Sequence, residues 1–442
     1  MVALSPAERV APLGGLVDAV TAQFPELEFL APGGVLRVPV DTPPLTRLRI
    51  ELPKQFLHLQ SIGLVTANGS DASSGAEVTA SSWHGRYAEK FDPSRLFDWD
   101  NPTGTVVHTE QDDLSWIEVR FRRPVRLTEV RLRNVGSNTA VRGRMIRVVG
   151  HSRWGRHSEL FDAKHLYKQV RTAAKKHDLG ELDPQVSTLV PVTVDTLVGS
   201  YLSARKAVKR ADLDPEVLKA FKAVVNADLL PSRELLWTIH GPCRAFRYWT
   251  PAQQVAYIGF TNEVVEALRE VTPHVSYGFG SVLSVVRDKA LIPHDDDLDI
   301  IVAFEPHEAA TLAEGLTLVA RILEERGFSV RGTFPAHRQV GRDGRGKHLD
   351  VFVGLFEGDE GDTISWYPGA RGALSRSMMY PTTTAPLLGI DCVIPAHAED
   401  YLAAVYGEGW RTPDPNFAHT KDRKSYADIS GAPQKARATT PS

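Results

Sequence analysis

The chain is 442 residues long, with 42% hydrophobic and 24% charged residues, a composition typical of soluble globular proteins. A chain of this length predicts about two or three domains. The 51 Lys and Arg residues nearly balance the 54 Asp and Glu residues, which gives a formal net charge of −3. Because no overall cationic field is available to hold a phosphate backbone, nucleic acid is not the expected partner.

Cysteine content and the first residues of the chain restrict the expected compartment. Cys243 and Cys392 are the only cysteines, which excludes a disulfide scaffold and an all-cysteine zinc site and favours a reducing environment. The first thirty residues lack the basic start and apolar run of a signal peptide. No window reaches the roughly 18 uncharged apolar residues of a membrane helix. We therefore expect a cytoplasmic protein without a transmembrane segment.

Short runs of alternating apolar and polar residues, separated by turn clusters, extend over residues 35–149. This period is typical of half-buried strands and predicts an antiparallel β-sandwich. The predicted strands are residues 47–53, 56–67, 116–121, 127–135 and 144–150.

Apolar residues lie three and four positions apart in residues 158–227, which predicts amphipathic helices. Asp214 followed by Pro215 has the pattern of an N-cap and a first-turn proline. Residues 151–176 also carry a basic face. Its simplest interpretation is a solvated helix surface, and the alternative is contact with an anionic polymer or a membrane surface.

Helix-like and strand-like segments alternate in residues 231–410, which favours an α/β domain. From Lys421 onward the sequence lacks apolar periodicity, so we predict a disordered tail. The predicted organisation is a β-sandwich at 1–155, a helical connector at 156–230, an α/β domain at 231–420 and the tail at 421–442.

The densest chemical signal is a run of four carboxylates, Asp295, Asp296, Asp297 and Asp299, directly before an apolar strand. Carboxylates this close repel one another unless they are well solvated or a cation neutralises them. In an extended chain Asp297 and Asp299 share one face. With a third carboxylate from a neighbouring strand, they suit Mg²⁺ that also holds phosphate oxygens.

Just upstream, Gly280 and Ser281 join a predicted strand to a predicted helix. A glycine lets the backbone approach a ligand, and the first turn of a helix offers unpaired N–H groups to a phosphate. Arg287 can supply a cationic fork to the same group. A phosphate cradle followed by paired carboxylates is the arrangement that metal-assisted phosphoryl or nucleotidyl transfer requires.

Residues 280–299, GSVLSVVRDKALIPHDDDLD, resemble the signature of the LicD family, fukutin-like phosphotransferases of the nucleotidyltransferase superfamily. The departures are Ser281, Ser284, Val285 and His294, the last of which replaces an aromatic wall. Residues 394–415 resemble the family's closing pattern of a proline, a Tyr-Leu pair and Tyr-Gly followed by Trp and Pro. The matching positions of the first motif are Gly280, Leu283, Arg287, Ile292, Pro293, Asp295, Asp296, Asp297 and Asp299.

The resemblance implies a nucleotidyltransferase fold and transfer of a phospho-alcohol, such as phosphocholine or a phospho-polyol, from a CDP-activated donor to a sugar hydroxyl of a cell-surface glycan. It implies Mg²⁺, or Mn²⁺ in its place, on Asp297 and Asp299, with Asp350 as third ligand or as the base that takes the hydroxyl proton. Arg287 joins these as a catalytic residue. The implied substrate contacts are Gly280, Ser281, Arg287, His294, Asp295 and Asp296.

Residues 75–134 resemble a discoidin or coagulation-factor (F5/8) type C module, a galactose-binding-like jelly roll. Such a module implies carbohydrate binding, so it is expected to hold the glycan acceptor, and peripheral contact with membrane-linked precursors is compatible with this arrangement. Trp83, Tyr87, Phe91 and Trp99 lie in turn-rich sequence, where they either stack on sugar rings or pack the loops.

Two other functions remain open from the sequence. One is a nucleotidyltransferase that donates a nucleoside monophosphate from an NTP, and the other is a glycan-binding protein whose transferase domain is inactive. Residues 341–348 nearly spell a P-loop, but His348 stands at the Ser/Thr position and an apolar strand follows where a helix is required.

Overall fold

The computed structural model describes residues 4–85, 87–100, 104–153, 155–332, 337–342, 345–358, 361–366, 369–417, 419, 422 and 424–431. The chain divides into two compact units, Met1–Arg244 (unit 1) and Ala245–Ser442 (unit 2). None of the helices in the described ranges is long and apolar enough to cross a lipid bilayer.

Unit 1 combines short strands with helices. Its helices and strands, in chain order, are α1 Pro6–Gln23, β1 Val35–Pro39, β2 Leu45–Pro53, β3 His58–Leu59, β4 Ser61–Thr66, β5 Glu77–Ala80, α2 Tyr87–Lys90, α3 Pro93–Leu96, β6 Val107–His108, β7 Leu114–Val125, β8 Leu127–Arg133, β9 Arg147–Ser152, β10 His157–Asp162, α4 Ala163–Lys176, α5 Pro184–Leu197, α6 Tyr201–Arg210, α7 Pro215–Asp228, β11 Leu236–Thr238 and β12 Gly241–Cys243.

Two larger antiparallel sheets form the core of the β-rich part of unit 1, beside the two-stranded pairs β3-β6 and β11-β12. One has the strand order β1-β8-β4 and the other β10-β9-β2-β7-β5. Their buried side chains form one hydrophobic cluster, to which Leu36 and Ile62 contribute from the first sheet and Ile50 and Val119 from the second. The predicted strand alternation is therefore confirmed, because each strand turns one face toward this shared core.

The helices predicted as a separate connector lie within unit 1. They share their hydrophobic clusters with α1, a helix the sequence interpretation missed although Ser5 and Glu8 form a capping box at its start. Within the residues 158–227 predicted as helical, α5 and α6 are separate helices, because Gly199 adopts a φ of +70° between them. Asp214 caps α7 as predicted, accepting from the Glu216 N–H.

Unit 2 alternates helices with strands. Its helices and strands, in chain order, are α8 Pro251–Arg269, β13 Val275–Gly278, α9 Phe279–Leu283, β14 Asp299–Phe304, α10 Leu312–Glu325, β15 Phe328–Arg331, β16 His337–Arg342, β17 Arg345–Glu357, β18 Thr363–Trp366, β19 Leu374–Ser375, α11 Arg376–Met379, β20 Thr383–Leu387, β21 Ile390–Ile394 and α12 Ala398–Tyr406.

A mixed sheet organises unit 2. Its strand order is β13-β14-β17-β16-β15, with β18 and β19 continuing from β17. The pair β14 and β17 is parallel, whereas the other neighbours are antiparallel. Buried side chains of α8 and α10 pack into the same hydrophobic cluster as the sheet. The central strand β14 is buried along its apolar residues, and its polar residue, Asp299, stands at its start.

The prediction of a disordered tail is wrong for residues 424–431. Tyr426 is buried, and its hydroxyl donates to the carbonyls of Trp366 and Gly369, both at 2.9 Å. One aromatic side chain thus anchors a segment whose composition is otherwise typical of disorder. The rest of the predicted tail, residues 421, 423 and 432–442, lies outside the described residues.

Candidate functional site

The strand register of unit 2 brings together two carboxylates that are far apart in sequence. Asp299, the first residue of β14, pairs with Asp350 on the parallel strand β17. On its other side Asp299 pairs with Gly278, the last residue of β13. The carboxylate run and the glycine turn therefore meet at one end of the sheet, and Asp350 joins them from the third strand.

The turn after β13 has an unusual backbone. Phe279 adopts a left-handed φ of +45°, and its N–H donates to the hydroxyl of the buried Tyr401 at 2.7 Å. A Cβ on Gly280 would lie 2.8 Å from Oδ2 of Asp295. A side chain at position 280 would therefore require the Asp295 carboxylate to move.

Ser281 supports Asp299 directly. Its hydroxyl accepts the backbone N–H of Asp299 at 2.7 Å, and the side chain is buried. The resemblance implied that Ser281 contacts substrate, and in the structure its oxygen positions the first residue of β14. The helix that follows the turn is short, since α9 widens into a π-helical segment at Ser284–Asp288.

Burial and charge repulsion together determine the electrostatics of this strand end. Burial raises the pKa of Asp299 well above its ordinary value, and the negative charges of Asp297, Asp350, Asp295 and Asp296 raise it further. A buried carboxylate surrounded by four others is stable when it is protonated or when a cation lies beside it. The donor set is all oxygen, which is the chemistry that Mg²⁺ and Mn²⁺ prefer.

Asp295 and Asp296 are held by protein partners. Asp296 is 5% exposed and forms an ion pair with Lys347 of β17. Asp295 accepts the N–H of Asp296 at 2.8 Å through Oδ1, while Oδ2 lies against Gly280. Both carboxylates therefore help to shape the turn, and the substrate contact that the resemblance implied for them stays a prediction.

Arg287 also has partners within the protein. Its Nε and Nη2 donate to the two carboxylate oxygens of Asp288 at 2.7 and 3.0 Å, and Nη1 donates to the carbonyl of Trp410 at 3.1 Å. The predicted cationic fork thus binds a neighbouring carboxylate. His294 is half-buried, and burial, followed by the charge of Arg287, lowers its pKa.

Tyr257 is a site residue that sequence reasoning missed. Its buried hydroxyl donates to the His348 carbonyl at 2.8 Å and accepts the N–H of Leu298 at 3.0 Å. One hydroxyl therefore joins the chain just before Asp299 to the chain just before Asp350. Tyr257 lies on α8 at one of the positions that the helical periodicity predicts to be buried, so the sequence did not distinguish it from a core residue.

His337 is the second missed residue. Its Nε2 lies 3.3 Å from Oδ2 of Asp350, and the ring packs beside Phe352 with a centroid distance of 5.0 Å. It belongs to β16, a strand that the sequence interpretation did not predict. An isolated histidine in an unassigned segment offers no sequence signal of proximity to a carboxylate.

The closing motif packs on the first motif. The Tyr401 hydroxyl accepts the N–H of Phe279, and the Trp410 carbonyl accepts from Arg287. Burial raises the pKa of Tyr406, and the nearby Tyr401, Asp299 and Asp295 raise it further. The two sequence motifs therefore form one structural site. Tyr401 and Trp410 of the closing motif thus hold the backbone turn and the arginine of the first motif.

The segment of unit 2 that contains the candidate site is similar to a known protein family. Residues 276–397 match the family model LicD, described as LicD/FKTN/FKRP, nucleotidyltransferase domain. Unit 2 thus contains a segment that matches the LicD domain model. Among curated proteins, none matches the chain. The LicD match supports a phosphotransferase-type function on glycans, and it includes the glycine turn, the four carboxylates and Asp350.

The family match does not extend to residues 75–134, so the discoidin resemblance of unit 1 stays a prediction. The aromatic residues singled out there pack within unit 1. Trp83 lies 4.3 Å from Phe91 between ring centroids, and the Arg133 guanidinium lies 4.6 Å above the ring of Trp99. Loop packing accounts for these three side chains, whereas Tyr87 stacks on His108.

The near P-loop sequence of residues 341–348 has strand structure on both sides. β16 ends at Arg342 and β17 begins at Arg345, and the two strands pair antiparallel. A phosphate-binding loop must instead lead from a strand into a helix. The structure therefore excludes the P-loop interpretation, with residues 343 and 344 outside the described part.

Proposed function

We propose that the LicD domain catalyses Mg²⁺-dependent transfer of a phospho-alcohol from a CDP-activated donor to a sugar hydroxyl of a cell-surface glycan or its precursor. The observation that supports this proposal is the pairing of Asp299 with Asp350 beside the glycine turn, within the segment that matches the LicD model. The choice of donor and acceptor comes from the sequence resemblance, and phosphocholine and phospho-polyols are the candidate groups.

Asp297, Asp299 and Asp350 would hold the divalent cation, Mg²⁺ or Mn²⁺. Their fit rests on the strand register that pairs Asp299 with Asp350 and on an all-oxygen donor set. Burial, followed by the negative charges of the nearby carboxylates, raises the pKa of Asp299, and a bound cation would favour its ionised form. When bound, the ion would neutralise the donor diphosphate and the leaving CMP.

The chain's own residues would position the reacting groups. Ser281 and Tyr257 hold the backbone on either side of Leu298, which sets the direction of Asp297 and Asp299. Asp350 remains open to two roles, third ligand or acceptor of the hydroxyl proton at Oδ2. In the second role the nearby Nε2 of His337 would stabilise the carboxyl that receives the proton.

For the whole chain we propose a cytoplasmic transferase in which unit 1 is a discoidin-like jelly roll and unit 2 has a nucleotidyltransferase fold. Unit 1 would bind the acceptor glycan and so raise its concentration near the enzyme. Peripheral contact with membrane-linked precursors is compatible with this proposal.

Calorimetry on the full chain tests the donor class. CDP-choline, CDP-glycerol and CDP-ribitol are titrated with Mg²⁺ or with EDTA, and ATP and CTP serve as competitors. We expect Mg²⁺-dependent binding of at least one CDP-alcohol that exceeds NTP binding by about tenfold or more, since a 1.4 kcal/mol preference is tenfold. Tighter NTP binding with pyrophosphate release would support the nucleotidyltransferase alternative, and absence of any metal-dependent binding would support an inactive domain.

A further inference from the structure

Unit 1 contains a compact group of three histidine rings, here called the imidazole stack: His58 of β3, His84 before α2 and His108 of β6. The ring centroid of His108 lies 4.1 Å from that of His58 and 4.5 Å from that of His84. Tyr87 stacks on His108 at 5.0 Å with an interplanar angle of 18°. The ring of Phe56 completes the group at 5.7 Å from both His84 and His108.

Arg142 lies beside the imidazole stack, and it has no carboxylate partner among the described residues. The guanidinium of Arg142 lies 5.3 Å above the ring of Phe56, and it is partly buried. None of the ion pairs between described residues includes it, and no described residue hydrogen-bonds to it. Burial lowers its pKa. A half-buried guanidinium without an anionic partner is costly, and an oxyanion that binds it in a bidentate manner removes that cost.

The histidines leave a second polar group unsatisfied. Burial lowers the pKa of His108, and it lowers that of His58 to about 3, so both rings are neutral near pH 7. Nδ1 of His108 lies 3.1 Å from the carbonyl of Thr109 and donates to it in the neutral ring. Nε2 of His58 is buried and has no hydrogen-bond partner among the described residues. Unsatisfied buried polar atoms are rare and often mark functional sites.

The exposed side of the group offers hydrogen-bond acceptors. Glu110 keeps its side chain 48% exposed while one oxygen contacts Nδ1 of His84 at 2.9 Å. A half-exposed carboxylate can accept sugar hydroxyls, and flat aromatic rings pack against the C–H face of a sugar. Because hydroxyl acceptors and a lone guanidinium occur together, a sugar that carries an anionic group fits this surface better than a nucleobase does.

We propose that Arg142, the imidazole stack, Tyr87 and Glu110 form a binding site for an acidic saccharide, with Arg142 holding its carboxylate or phosphate group. The site lies wholly in unit 1. The inference does not depend on phosphotransfer in unit 2, and it would stand if that activity were absent.

Isothermal titration of the full chain in EDTA tests this site with four defined probes: glucuronate, glucose 6-phosphate, neutral glucose and CMP. We expect glucuronate or glucose 6-phosphate to bind, and the tighter of the two identifies the anionic group as carboxylate or phosphate. Glucose should bind at least about tenfold more weakly, because it lacks the charge-assisted hydrogen bonds. Equal binding of glucose, tighter binding of CMP or no binding of either acid would overturn the proposal.

Matched variants locate the site. Arg142→Gln should weaken binding of the acidic sugar about tenfold or more, whereas Arg123→Gln, the same charge change at an exposed position of β7, should leave it unchanged. Thermal unfolding verifies that both variants fold. Should Arg142→Gln not fold, Tyr87→Leu provides the second test. This variant should bind the acidic sugar more weakly than the wild type does, while its binding of neutral glucose should remain weak. Unchanged affinity in the folded variant would refute the assignment.

Discussion

Two groups of ionisable side chains in this protein have opposite charge and are assembled in opposite ways. The acidic strand end of unit 2 gathers five carboxylates, four of them contiguous or nearly so in sequence, and it needs a cation or a proton. The imidazole stack of unit 1 gathers rings and Arg142 from distant segments, and its guanidinium needs an anion. In both cases burial makes the charged form of a side chain costly unless an opposite charge lies nearby, and this predicts the sign of the ligand.

The two groups also differ in what holds them. In unit 2, hydrogen bonds from Ser281, Tyr257 and Tyr401 fix the backbone around the carboxylates. In unit 1, ring stacking holds the histidines, with few hydrogen bonds between side chains. We therefore expect the unit 2 site to respond to single-atom changes and the unit 1 site to respond to pH.

The largest expected effect is on metal-dependent activity. Asp299→Asn should reduce CMP release from the CDP-alcohol donor by about 100-fold or more, because a ligand of the cation is lost. In EDTA the same variant should unfold at an equal or higher temperature than the wild type, since a neutral amide avoids the cost that burial and the neighbouring carboxylates impose on an ionised Asp299.

Asp391→Asn is the matched control for this variant. Asp391 is exposed on β21, and the change in charge is identical. It should leave both CMP release and thermal stability unchanged. Mg²⁺ should stabilise the wild type and the control but not Asp299→Asn, and equal stabilisation of all three would show that Asp299 does not bind the cation.

The next effect concerns acid stability in unit 1. The folded pKa of His58, about 3, lies below its ordinary value of 6.5. As pH falls below about 6.5 the unfolded chain takes up a proton that the folded chain does not. The stabilisation is therefore complete above that pH and is lost as pH falls toward 3, by about 4 kcal/mol in total.

Thermal unfolding followed between pH 7.5 and pH 4 measures this loss. His58→Gln should flatten the pH dependence, whereas His157→Gln at an exposed position of β10 should not. A His58→Gln variant that keeps the full acid sensitivity would assign the effect to other groups and would remove this contrast between the two units.

A smaller effect is expected at the left-handed turn. Tyr401→Phe removes the hydroxyl that accepts the Phe279 N–H and leaves that buried N–H unsatisfied, at a cost of about 1–3 kcal/mol in the free energy of unfolding. Tyr406→Phe on the same helix is the control. Chemical denaturation of both variants gives the comparison, and equal destabilisation would mean that the hydroxyl bond does not support the turn.

The smallest effect is expected at His337. His337→Gln should lower kcat about threefold to tenfold with KM nearly unchanged if the imidazole supports Asp350 during proton transfer. An equal change in KM alone would indicate a role in binding. The glutamine side chain of this variant retains an amide that can contact the carboxylate, so loss of folding is not expected and the kinetic split can be read directly.

Local patterns predicted much of unit 1 and unit 2. Alternation predicted the strands that became β2, β7 and β8, and the 3.6-residue period predicted α4, α7, α8 and α10. These predictions were correct because each of these strands and helices buries one face in a hydrophobic core. The same reasoning missed α1, whose Pro12 and two adjacent glycines weaken the helical pattern.

The candidate site divides in the same way. The glycine turn and the carboxylate run were recognised because their chemistry is contiguous in sequence. The partners of Arg287 and Asp296 were not predicted from the sequence. The partner of a charged side chain depends on which residues the fold brings near it. Both residues match the family pattern, yet their described contacts are with Asp288, Trp410 and Lys347.

By itself the sequence determined the density of carboxylates at residues 295–299, the need for a small residue at the preceding turn and the strand and helix periods around them. The tertiary structure alone decided that Asp350 lies beside Asp299, that Tyr257 and Tyr401 hold the backbone there, and that three histidines of unit 1 meet near Arg142. Periodicity reports which face of an element is buried, whereas strand register and packing set which distant residues become neighbours.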